Sequence, residues 1–91
     1  MSDRVHPAQL VKDDVVQIGP HRVRGELIGH DRSNWDVEQT TYTEGGRLVV
    51  VESHDHEAPG TTRVTVYEAA DFVDRLEHHP RRADMAGAAA A

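Results

Sequence analysis

Apolar and polar residues alternate with a period of two over much of this chain, the spacing of half-buried β-strands. "VVQI" at 15 to 18 meets Gly19 and Pro20. "RVRGELIG" at 22 to 29 then sets Val23 and Leu27 on one side and Arg22, Arg24 and Glu26 on the other. The two runs predict a hairpin. "DRSN" at 31 to 34 has turn composition, "WDVEQTTYT" at 35 to 43 alternates again, and "EGG" at 44 to 46 leads into "RLVVVESH" at 47 to 54. A glycine pair between two alternating runs is a strong hairpin signal. "TTRVTVY" at 61 to 67 predicts a fifth strand.

The period then changes. Ala69, Phe72, Val73 and Leu76 fall at i, i+3, i+4 and i+7, the apolar stripe of a helix. Glu68 and Asp71 lie near its start, Arg75, His78 and His79 near its end, and Pro80 follows, an order that suits the helix dipole. The expected fold is α+β: an antiparallel β-meander of four to five strands with one C-terminal helix packed on one face. Residues 1–14 are expected to be weakly structured, 15–79 to form the sheet-and-helix domain, and the Ala-rich 80–91 to be a disordered or frayed tail.

A single helix cannot cover five strands, and Leu48 to Val51 put apolar side chains on both faces of their strand. The expected remedy is a homodimer whose interface uses Val49, Val51, Tyr42 and Tyr67. The order strand, glycine hairpin, strand, "VY", helix in "WDVEQTTYTEGGRLVVVES…RVTVYEAADFVDRL" resembles that of the small bacterial proteins called EXLDI. The motif that names that family is missing, and the resemblance carries no function over.

Composition narrows the chemistry. Ninety-one residues allow one small domain. The absence of cysteine excludes disulfides, thiolate metal sites and cysteine nucleophiles. No apolar run approaches the roughly 18 residues of a membrane span, and the polar start "MSDRVHPAQ" is unlike a signal peptide, so the default expectation is cytoplasmic and without membrane contact. A net charge of -6 opposes nucleic-acid binding, although Arg22, Arg24, Arg47 and Arg63, with Tyr42 and Tyr67 as stacking platforms, offer a sheet-face version of it. The competing expectation is that these arginines pair across strands with Asp36 and Glu38.

The richest chemistry lies in "VVVESHDHEAPG" at 49 to 60. In a meander, the strands 22 to 29 and 47 to 54 end at the same edge, which gathers His30, Asp31, His54, Asp55 and His56. Glu57 is nearby. That nitrogen and oxygen set suits zinc, nickel or copper, so a divalent transition metal is the one candidate cofactor. Its spacing matches no zinc-finger or metalloprotease pattern, and the rival reading is a solvated loop. Ser53 and His54 point to opposite faces and cannot pair as nucleophile and base. No phosphate-binding, dinucleotide-binding or hydrolase motif is present. Trp35 is expected to anchor the core.

Two functions remain. One is a small acidic non-catalytic interaction module, homodimeric, with a protein partner and an antitoxin-, immunity- or accessory-type role. The other is a metal or small-ligand binder, with an enzyme among its options, built on the histidine edge.

Overall fold

The computed structural model describes residues 2–78. Among these there is no α-helix, and β-strands dominate. The elements in chain order are β1 (Asp3–Val5), the 3₁₀ turn η1 (Pro7–Gln9), β2 (Val15–Ile18), β3 (His21–Val23), β4 (Glu26–Ile28), β5 (Ser33–Thr43), the 3₁₀ turn η2 (Glu44–Gly46), β6 (Leu48–Asp55), β7 (Thr62–Glu68) and β8 (Val73–Glu77). Six strands form one antiparallel sheet in the order β1-β8-β2-β5-β6-β7, and β3 pairs only with β4.

The strands at 35 to 43 and 47 to 54 pair as the alternation predicts, from Thr43 opposite Leu48 to Trp35 opposite Asp55. Their turn runs through Glu44, Gly45 and Gly46, all at positive φ, a conformation that glycine adopts without steric cost. β7 follows β6 as expected, from Leu48 opposite Glu68 to His54 opposite Thr62. The α+β meander itself does not form.

Three corrections explain why. The expected helix over 69 to 76 is a turn followed by β8. The Asp71 amide donates to the Glu68 carbonyl 2.9 Å away, and the Asp71 side chain takes the Phe72 amide at 2.8 Å, a local turn where the first helical turn would have formed. Beyond it, β8 gains ladder partners on both sides, from β1 and from β2, which outweighs a four-residue apolar stripe. The expected hairpin of 15 to 18 with 22 to 29 also fails. Arg24 and Gly25 both have positive φ and form a two-residue turn that breaks 22 to 29 into β3 and β4, while β2 pairs with β5 and β8. Residues 1–14, expected to be weakly structured, supply β1 and η1, with Val5, Pro7 and Leu10 buried. The tail expected at 80–91 lies outside the described residues.

One hydrophobic cluster takes Val5 from β1, Val73 from β8, Val16 and Ile18 from β2, Trp35 and Val37 from β5, Val49 and Val51 from β6, and Tyr67 from β7. All six strands of the main sheet contribute to this cluster. η1 with Leu10 packs over β6, and β3 packs against β7, so turns close what the expected helix would have covered. Trp35 anchors this core as expected, its indole N–H donating to Ser33 Oγ at 2.6 Å.

Asp14 ties the closing segments together. Its carboxylate is fully buried, receives the Val11 amide at 3.0 Å, lies 2.6 Å from His78 Nδ1 and faces Arg75 at 3.8 Å. The Asp14 carbonyl accepts the Val37 amide, and the Asp13 amide donates to the Val37 carbonyl, both at 2.9 Å. One residue therefore joins the N-terminal loop, β5 and the end of β8. Asp14→Ala is expected to cost about 3 kcal/mol, because it removes a fully buried carboxylate that the Val11 amide, His78 and Arg75 share. Asp36→Ala, on the surface, is expected to cost less than about 1 kcal/mol. Urea denaturation of both variants checks this, and equal losses would remove Asp14 from its central position.

Candidate functional site

The end of β6 carries the histidines that the sequence singles out, but their partners differ from those expected. Because β4 stays out of the main sheet, the strand beside β6 at this end is the start of β5. The register places Asp36 opposite His54 and then shifts between Val37 and Gln39, leaving Glu38 as the extra residue of a bulge. Bulges redirect side chains. His54 sets Nε2 3.2 Å from Asp36 Oδ2 and Nδ1 2.5 Å from Glu38 Oε1, while His56 Nδ1 lies 2.6 Å from Asp36 Oδ1.

His54, His56, Asp36 and Glu38 thus form a four-residue cluster on the outer face. Asp55 turns away from it: its Oδ1 accepts the Glu57 and Ala58 amides and shapes the loop. Neither His30 nor Asp31, both exposed, has a hydrogen bond or ion pair to this cluster among the described residues. The five-residue metal set is not brought together.

The cluster is also a poor metal centre. Metal binding needs neutral imidazole with a free lone pair, whereas both His54 nitrogens face carboxylates. The hydrogen bond and charge of Asp36 raise the His56 pKa above its usual 6.5 or so, which favours the cation. No group of three or more His, Asp or Glu side chains among the described residues is placed to hold a metal ion. Asp36 and Glu38 are engaged by these histidines and not by the arginines expected to face them. Arg24 pairs with Glu44, and Arg63 lies 5.5 Å from the Trp35 ring centre.

The residues expected at a dimer interface also redistribute. Val49, Val51 and Tyr67 are buried in the chain's own core, and of that set only Tyr42 is exposed. The chain's own core consumes the face that the valines implied. Ser53 is buried and His54 half-buried on the other face, so no nucleophile and base meet there.

The sheet does leave something open on β7. Thr61 gives its carbonyl to the Asp55 amide, and Val66 turns its carbonyl to His21 Nε2 of the neighbouring hairpin. Alternate residues of an antiparallel strand direct their backbone groups to opposite sides. Thr62, Val64, Val66 and Glu68 therefore face away from β6. At the Val66 and Glu68 end that side is occupied: His21 takes the Val66 carbonyl, and Glu68 accepts the Arg24 amide. At Thr62 and Val64 no backbone hydrogen bond reaches this side among the described residues. The Val64 side chain is 63% exposed, beside the Val50 and Val66 pair on the outer face.

The opposite edge is shielded. β1 has three residues, with Asp3 and Arg4 engaged by Arg75 and Asp74, and short charged strands resist edge pairing. The sequence signal for β7 was available in Val64, an apolar residue in the alternating run at 61 to 67.

No family model, curated protein or solved structure matches this chain.

His56 gives the cluster a measurable signature. Its folded pKa is raised, so the pairing with Asp36 contributes fully below the unfolded value near 6.5 and is lost as pH rises through the higher folded value. An NMR titration is expected to place His56 above the ordinary imidazole range, and Asp36→Asn to return it there. An unchanged midpoint in the variant would remove Asp36 as the cause.

Proposed function

We propose that this chain is a non-catalytic interaction module that binds another polypeptide strand along β7, a second copy of itself being the first partner. One observation carries the reading: the open backbone edge at Thr62 and Val64, flanked by an exposed valine. An unpaired edge is a template for an added strand, with ladder hydrogen bonds giving affinity and alternate side chains giving selectivity. The Val50, Val64 and Val66 strip adds apolar area on the outer face, and a two-fold relation between copies would make the contact self-complementary.

The net charge of -6 fits a partner with a basic surface, as in an antitoxin-, immunity- or accessory-type role, because opposite charge speeds encounter. The same charge disfavours nucleic acid. Among the described residues no helix is long and apolar enough to cross a membrane. The metal-binding alternative loses its support where His54 and His56 are held by carboxylates.

Sedimentation velocity over a concentration series tests this. The full chain is expected to self-associate, and Val64→Lys to weaken association by about tenfold or more, since a charge at an edge opposes strand addition. Folding stability should change by no more than about 0.5 kcal/mol, as for most surface substitutions. A wild type that stays monomeric throughout, or a variant that associates equally well, contradicts the proposal.

A further inference from the structure

A cleft of about 460 Å³ opens on the side of the molecule where β2 passes to β3 and β7 passes to β8. Its floor is a stacked pair, His21 on Tyr67, with ring centres 4.3 Å apart and planes inclined by 22°. His21 cannot swing away, because Nδ1 lies 2.9 Å from the Gly19 carbonyl oxygen and Nε2 2.8 Å from that of Val66. Phe72 stacks on His6 at the rim, with the Arg4 guanidinium 5.1 Å from its ring centre.

The charges around this cleft are unevenly committed. Asp74 faces Arg4 at 3.8 Å, Glu68 accepts the Arg24 amide, and Asp71 holds the Phe72 amide. Arg22 and Arg32 have no carboxylate partner among the described residues: Arg22 donates to the Gly25 carbonyl and Arg32 to the Gln17 amide oxygen at 3.5 Å. Gly19 helps to place Arg32, because a Cβ there would lie 2.7 Å from Arg32 Cγ. The glycine lets the arginine stem cross the end of β2.

Tyr67 supplies the second, independent observation. The residue as a whole is only 2% exposed, but it lines the cleft, and among the described residues no hydrogen bond engages its hydroxyl. The stack with His21 fixes its ring and leaves the hydroxyl as an uncommitted group at the cleft. Burial raises its pKa, which keeps it a neutral O–H donor. A concave site with a few convergent donors is how proteins fix small ligands, and guanidinium groups match carboxylate and phosphate oxygens in geometry and charge.

We propose that this cleft binds a small molecule bearing a carboxylate or phosphate group, received by Arg22, Arg32 and the Tyr67 hydroxyl. The site is separate from the open end of β7, and its success or failure is independent of the strand-pairing proposal.

NMR titration of the ¹⁵N-labelled full chain with inorganic phosphate, and separately with benzoate, tests it. Saturable shifts at Gly19, Tyr67 and Ala70 are expected with at least one probe, and the probe that saturates identifies the anion class. Arg22→Gln with Arg32→Gln, and separately Tyr67→Phe, should each weaken binding by about tenfold or more. Tyr67→Phe removes only an unpartnered hydroxyl, so its fold is retained. Val64→Lys should leave the affinity unchanged. Linear, scattered shifts with both probes, or wild-type affinity in both cleft variants, overturn the proposal.

Discussion

Asp14 carries a carboxylate into a fully buried position, and much of the fold answers to it. A buried charge is costly unless paired and hydrogen-bonded. Here the Val11 amide, His78 and Arg75 supply the partners from both ends of the described chain. The C-terminal strand must then sit between β1 and β2. Once it does, β1 and β8 extend the inner face of the sheet, and the turns of the first ten residues cap the core in place of a helix.

This packing decides where the open surface lies. It takes Val49 and Val51 into the interior and seals one end of β7 with His21 and Arg24. What remains is the other end of the same strand, beside Val64, together with the cleft left where β3 leans on β7. The docked hairpin therefore does two things. It shortens the free edge, and it forms part of the floor of the cleft through its stacked histidine.

Local signals in the chain were legible where pairing is local. The β5 and β6 hairpin and β7 follow from period-two alternation and the Gly45 and Gly46 turn. β8 was not legible, because Ala69, Phe72, Val73 and Leu76 fit a helix stripe as well as a strand edge, and only β1 and β2, far earlier in sequence, decide between them. The same non-local choice misplaced the metal set. His54 and His56 were visible as a chemical pair, but their neighbours depend on which strand lies beside β6. That strand is β5 with its bulge at Glu38, and so Asp36 and Glu38 replace His30 and Asp31.

The β-sheet keeps one edge open at Thr62 and Val64 among the described residues. Amide hydrogen exchange measured as a function of protein concentration addresses that edge residue by residue. The amides of Thr62 and Val64 are predicted to exchange rapidly in dilute solution and to gain protection as concentration rises, while Arg75 in β8, flanked on both sides, is protected throughout. Unprotected amides at Thr62 and Val64 at every concentration, up to the limit of solubility, would contradict it.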